Sequence, residues 1–358
     1  MGVTRLKVIH IIPTGSWAGS ERIAFGLATM QAKNSDQIYI AVRSNKNYPL
    51  AFYQEQAGKN VKVIDIPAKF KGAQAIADHI RQICCPADDA EFDIAHGHLG
   101  LGCRIAACFK DYSYTLGHMH VRFLTTQHQN LDGVVAVSEW QLKDIPQWYK
   151  GDVVVIPNFL NEIPELNTKH KLAFKRRYYL EETDFLFGIV CRLHIEKGVD
   201  LAIDAFNELN LPNAKLLIIG EGSYENYFKQ LTTGNPKIIF AGFIKNASEY
   251  MRIFDCMISP SRADSFGMSV LESLFSEVPV ISSSTYGAKD ILKDDPLLFE
   301  IDDMQDLKAK MEMAYKGTKN KVDYSSYHAN ISVPKMEAFY RSIINRRINC
   351  TTIENVHN

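Results

Sequence analysis

Short apolar runs alternate with longer amphipathic stretches along most of the chain. The runs that read as strands are Leu6 to Ile12, Gln37 to Val42, Val61 to Ile66, Phe92 to His98, Tyr112 to Gly117, Gly133 to Ser138 and Asp152 to Pro157. Each has the length and the β-branched content of a strand, and the segments between them carry apolar residues at helical spacing. Strands separated by helices predict a parallel sheet, so these blocks make one complete doubly wound α/β domain. The pattern then restarts with Phe185 to Leu193, Ala214 to Gly220, Lys237 to Gly242, Cys256 to Ser261 and Val278 to Ser283. These predict a second domain of the same class.

Between the two blocks lies VIPNFLNEIPELN, Val155 to Asn167, with two prolines and no sustained periodicity. Such a stretch reads as an interdomain hinge. The expected organisation is a first domain over 1–160, a second over 161–330, a terminal helix over 331–348 and a frayed tail over 349–358. The terminal helix carries Met336, Phe339, Tyr340, Ile343 and Ile344 on one face, and it either closes the second domain or crosses back to the first. Doubly wound sheets hold ligands at the carboxyl ends of their strands, so the expected site is a cleft between the domains.

Composition narrows the function classes. The chain has 358 residues, 46% of them hydrophobic, which suffices for two cores. A formal charge of -1 leaves no field to attract nucleic acid. The one basic run, KHKLAFKRR at Lys169 to Arg177, includes Leu172 and Phe174 and reads as a solvated helix face, with anionic surface binding as the alternative. Seven cysteines show no paired C-x2-C spacing and read as reduced thiols of a cytoplasmic protein. The apolar run near the N-terminus, Val8 to Pro13, is too short for a signal-peptide core, and no stretch reaches membrane-spanning length. Peripheral contact with a membrane surface stays open.

Several loops after strands could carry chemistry. The first reads PTGSWAGSERI, where Gly15 and Gly19 let backbone N–H groups approach an anion or simply make two tight bends; its spacing is not a dinucleotide fingerprint. In CRLHIEKG, Arg192 and Lys197 come after a strand and precede a helix, an arrangement that suits a diphosphate unless they pair with Glu196 and Asp200. IIGEGSYENY places Gly222 in a similar turn. In PSRADSFGMSVLES, Asp264 and Glu272 frame a helix N-terminus, where unpartnered N–H groups await an anion, a hydroxyl or a capping acid. Histidines gather at two strand ends, His96 with His98 and His118 with His120, and alternation points the members of each pair the same way. Without cysteine partners or H-E-x-x-H spacing no metal is expected there. No G-x-S-x-G elbow or G-x-x-x-x-G-K-[ST] loop supports a serine hydrolase or a P-loop ATPase.

Four of these segments, GSWAGSER, AVSEW with VVVIPN, CRLHIEKG and PSRADSFGMSVLES, occur in an order and spacing that resembles glycosyltransferase family 4 over nearly the whole chain. The resemblance implies the GT-B architecture of two Rossmann-like domains facing across a cleft. It implies a retaining, metal-independent glycosyltransferase without cofactor, moving a sugar from a nucleoside diphosphate sugar, UDP favoured, to a hydroxyl of an oligosaccharide or lipid-linked acceptor in bacterial surface polysaccharide or lipopolysaccharide synthesis. By that resemblance Glu272 holds ribose hydroxyls. Ser265, Phe266, Gly267 and Met268 offer backbone N–H groups to the sugar and phosphate. Arg192 and Lys197 clamp the diphosphate, and Gly19 with its neighbours, Gly15 among them, brings the first loop against the phosphates, while Gly222 has a contact role by position alone. His118 is the active-site histidine, with His120 the other register. Asp264 stands where the family has glutamate, one methylene shorter, with an expected role at the donor sugar. A nucleotide-sugar epimerase of the same architecture and an inactive sugar-nucleotide-binding subunit are the alternatives.

Overall fold

The computed structural model describes residues 5–34, 36–86 and 91–356, with side chains through 347. The chain forms two units, one of residues 1–159 with 326–358 and one of residues 160–325.

The first unit holds a seven-stranded parallel sheet of β1 (Lys7–Ile12), β2 (Gln37–Val42), β3 (Val61–Asp65), β4 (Ile94–His98), β5 (Tyr114–Met119), β6 (Gly133–Ala136) and β7 (Asp152–Val155), in the order β3-β2-β1-β4-β5-β6-β7. The order reverses direction between β1 and β4, which makes their carboxyl ends the switch point of the sheet. Both faces of the central strands are covered, so they read as near-continuous apolar runs; all six residues of β1 are buried. Ile9, Ile11, Tyr39, Phe92 and Phe109 pack in one cluster beneath the helix Ala73–Cys84. Each such side chain contributes roughly 1.5–3 kcal/mol when fully buried. Strand register sets His10 opposite His96 and His98 opposite His118, which gathers imidazoles at the switch point.

The second unit holds a six-stranded parallel sheet of β8 (Phe185–Val190), β9 (Ala214–Ile219), β10 (Ile238–Gly242), β11 (Cys256–Ser259), β12 (Val280–Ser283) and β13 (Leu298–Phe299), in the order β10-β9-β8-β11-β12-β13. Its switch point lies between β8 and β11. The edge strand β13 was not anticipated, since two residues carry no periodicity. The basic run lies in the helix Thr168–Arg177, capped by Asn167 Oδ1 accepting from the His170 N–H at 3.0 Å; Phe174 is buried and Leu172 exposed.

The last helix, Ala329–Val356, belongs with the first unit. Arg341 donates to both oxygens of the buried Asp36 at 3.1 and 3.2 Å, Asn34 donates to Glu337, and the Tyr340 hydroxyl meets His96 Nδ1. The segment expected to fray from Asn349 continues this helix to Val356, as no Pro or Gly interrupts it. No helix among the described residues is long and apolar enough to cross a membrane.

Candidate functional site

In the first unit, the residues singled out in the sequence gather at the carboxyl ends of β1, β4 and β5. Five imidazoles share this place: His10, His96, His98, His118 and His120. His98 stacks on His96 at 4.6 Å between ring centroids, and His120 on His118 at 4.5 Å, so the alternation within each pair holds. His10 joins them from β1, with its Nδ1 at 3.1 Å from His98 Nε2 and its Nε2 at 2.8 Å from Gln31 Oε1. His98 Nδ1 in turn lies 3.1 Å from His120 Nε2. Neither ring nitrogen of His118 makes a hydrogen bond of ordinary geometry, although that ring is buried.

Burial holds all five imidazoles neutral at pH 7. It lowers His10 and His120 to about 4, opposed at His10 by the bond to Gln31 and at His120 by the charge of Glu21. Burial also lowers His96, His98 and His118 well below the usual histidine range; neighbouring histidines add to it, and at His118 the nearby Asn158 amide opposes it. Two triads, His10 with His96 and His98, and His98 with His118 and His120, bring possible ligand nitrogens within 4.8 Å of one another.

The first loop builds around Glu21, a residue that spacing alone did not single out. This carboxylate is buried, and it accepts from the Thr14 hydroxyl, the Ser16 hydroxyl at 2.7 Å, the Ala18 N–H at 3.0 Å and the Ser20 hydroxyl at 3.1 Å. Burial alone would raise the carboxyl, but these bonds outweigh it and hold it below its ordinary value. The signal was present as a Glu three residues after the helix N-cap, where it returns to the cap N–H. Gly15 precedes this turn in a left-handed conformation, its carbonyl accepting from Asn45 at 2.6 Å, and Gly19 begins the helix Gly19–Gln31. Both glycines thus lie in the loop that Glu21 closes.

In the second unit, three loops meet at the carboxyl ends of β9, β8 and β11. Lys197 Nζ lies 3.1 Å from Asp264 Oδ2, joining the loop after β8 to the loop after β11. Asp264 Oδ1 also accepts the N–H of Gly267 at 2.9 Å and of Phe266 at 3.3 Å. A short acidic side chain bonding two and three residues ahead makes an Asx turn, which the longer glutamate would not close in the same way. Two of the four backbone N–H groups assigned to a ligand are therefore already taken by Asp264.

The neighbouring pairings also differ from the alternative that proximity in the sequence suggests. Asp200 receives both guanidinium nitrogens of Arg262, at 2.9 and 2.8 Å, rather than Lys197, and Glu196 approaches His194 at 3.6 Å. Arg192 is exposed at the end of β8. Gly198 packs where a side chain has no room, since a Cβ there would stand 1.9 Å from the Pro260 carbonyl oxygen. Gly222 turns beside Leu193, whose carbonyl accepts the Tyr224 N–H at 3.2 Å. Ser265 and Met268 are half-buried, and Glu272, in the helix Met268–Phe275, is 5% exposed. A separate cavity of about 550 Å³, lined by Glu165, Lys171, Arg252, Asp255 and Pro279 among others, opens at the amino ends of the strands. Ligands of doubly wound sheets occupy the opposite end, so its size does not make it the site.

Residues 171–330 match the family described as glycosyl transferases group 1. Over 288 residues the chain is 25% identical to an uncharacterized glycosyltransferase of Methanocaldococcus jannaschii, covering 72% of this chain and 76% of the relative. The family match spans most of the second unit. Solved structures agree in fold. One from Rickettsia africae ESF-5, itself called a glycosyltransferase, aligns at TM-score 0.77 and 18% identity over 96% of this chain and 99% of that one. Anabaena HepE, solved in complex with UDP and glucose, aligns at TM-score 0.71 and 16% identity over 98% of this chain and all of its own. The two doubly wound sheets have the GT-B fold that the resemblance to family 4 implies.

Proposed function

We propose that this protein is a glycosyltransferase that moves a sugar from a nucleoside diphosphate sugar, a UDP-sugar in the favoured case, to a hydroxyl of an oligosaccharide or lipid-linked acceptor, with retention of anomeric configuration. The bond from the sugar's anomeric carbon to the diphosphate breaks, and a bond to the acceptor oxygen forms on the same face. The acceptor's proton passes to the departing phosphate. The observation that carries the reading is Lys197 held by Asp264 beside exposed Arg192 at the switch point of the second sheet. Two cations and a helix N-terminus at that place suit the charge that develops on a leaving diphosphate. They supply it without a bound metal, which is why the reaction is proposed to be metal-independent. Glu272 would hold the ribose, and in the first unit His118 and Gly19 keep the roles that the family resemblance gives them. Surface polysaccharide or lipopolysaccharide synthesis, at the cytoplasmic face of a membrane, is the proposed setting.

The test is a mass-spectrometric panel in EDTA, offering UDP-, GDP-, ADP- and CMP-sugars with and without oligosaccharide and lipid-linked acceptors. Acceptor-stimulated release of one nucleoside diphosphate supports the proposal and names the donor. Isomerised donor without transfer would mean an epimerase, and binding without turnover across the panel an inactive subunit.

A further inference from the structure

Three imidazoles of the first unit, His10, His98 and His120, are hydrogen-bonded to one another in a row that ends on an amide, and that ending gives the row a direction. Gln31 Oε1 can only accept, so the contact of 2.8 Å to His10 Nε2 requires the proton on that nitrogen. Neutral His10 then has a bare Nδ1, and the contact of 3.1 Å to His98 Nε2 requires a proton there. By the same step His98 Nδ1 is bare, and His120 Nε2, at 3.1 Å, carries the proton. One bare nitrogen is left over, His120 Nδ1.

We infer that Gln31 is a positioning residue that sets the tautomer of His120 through His98 and His10, so that His120 presents Nδ1 as a hydrogen-bond acceptor to a donating substrate hydroxyl. The tautomer stands on the geometry alone, whereas the partner hydroxyl rests on the proposed glycosyl transfer.

Ring geometry favours hydrogen bonds over a shared metal ion. The His10 and His98 centroids are 5.4 Å apart while their bonded nitrogens are 3.1 Å apart. The His98 and His120 rings repeat both distances, 5.4 and 3.1 Å. The remainder, about 2.3 Å, is two imidazole radii laid end to end, so the nitrogens face each other in line as N–H to lone pair demands. Nitrogens sharing a tetrahedral ion at about 2.0–2.1 Å would aim at a point off that line and draw the centroids together.

The Gln31 amide sets its Oε1 on His10, and its Nε2 makes no hydrogen bond of ordinary geometry. Glu21, the charged neighbour of His120, does not compete for the proton, since four donors already occupy its carboxylate. His118 stacks on His120 through its face and makes no hydrogen bond that could reverse the chain.

The experiment is long-range 1H–15N correlation of the full chain labelled with 15N-histidine at pH 7.5, with His120 assigned by a His120→Asn variant. The expected spectrum shows His10, His98 and His120 each as the single Nε2–H tautomer. Gln31→Met, which removes the acceptor at similar size, should give His120 as a mixture of both tautomers, and Gln31→Glu, which restores an acceptor, should return it to Nε2–H. His120 found as Nδ1–H in the unaltered protein overturns the inference, as does an unchanged tautomer in a folded Gln31→Met. Stoichiometric Zn2+ displacing these protons would replace it with a metal site. The readout needs no turnover, so it stands or falls separately from the transferase reading.

Discussion

Gly198 offers a quantitative test of how the second unit holds Lys197. Its φ is +64°, and a Cβ there would stand 1.9 Å from the Pro260 carbonyl oxygen, against 3.4 Å for ordinary contact. Replacement by alanine must therefore move one of the two loops by about 1.5 Å. Gly234, in the same unit, has φ +77° and nothing within 4 Å of a new Cβ. Both substitutions incur the left-handed penalty of ~1–2 kcal/mol and share the same small gain from a stiffer unfolded chain. Gly198→Ala alone adds forced displacement of packed backbone, on the order of 1–3 kcal/mol. For a unit of this size each kcal/mol is worth about 2–4 °C of melting temperature. Differential scanning calorimetry should place Gly198→Ala several degrees below Gly234→Ala, and donor turnover should fall only in the former. Coincident melting of the two variants would refute the argument that the contact with Pro260 is obligatory.

The same geometry sets two further outcomes. Asp264→Asn keeps an oxygen for the Gly267 N–H but removes the charge beside Lys197; with side chains 25% and 21% exposed, the pair is worth at most ~1 kcal/mol to stability. We expect melting within a few degrees of the parent and turnover at least about 10-fold lower, whereas Asp264→Glu should cost more stability by opening the Asx turn; full activity in folded Asp264→Asn would sink the positioning role. Acid should act on the first unit: with folded values near 4 for His10 and His120 against an ordinary 6.5, only the unfolded chain takes up protons as pH falls from about 6.5. Stability is then full above pH 6.5 and is lost down to about pH 4, by several kcal/mol when the cluster is counted together, and flat urea midpoints between pH 7.5 and 4.5 would contradict it.

Much of the fold was legible because parallel strands buried on both faces leave uninterrupted apolar runs. Twelve such runs correspond to β1 to β12, each shifted by no more than a few residues at its ends. The edge strand Leu298–Phe299 escaped because pairing with β12, not its own pattern, makes it a strand. Site residues were legible one loop at a time. Alternation paired His96 with His98 and His118 with His120, but nothing local shows that β4 lies between β1 and β5, so His10 and Gln31 were invisible as partners. The partner of Lys197 was hidden for the same reason: Asp264 is 67 residues away along the chain, and nearer acids were the only candidates a linear reading could offer.

The docking of the last helix on the first unit has a consequence for biosynthesis. Asp36, buried and paired with Arg341, and His96, bonded to Tyr340, wait for residues made some 240 to 305 positions later. A nascent chain must therefore carry an incomplete amino-terminal half through the whole synthesis of its second unit, at roughly 5–20 residues per second. That interval is the window in which the exposed flank of the first sheet invites chaperones or misassembly, and a premature stop anywhere before residue 340 would be felt most in the part of the protein translated first.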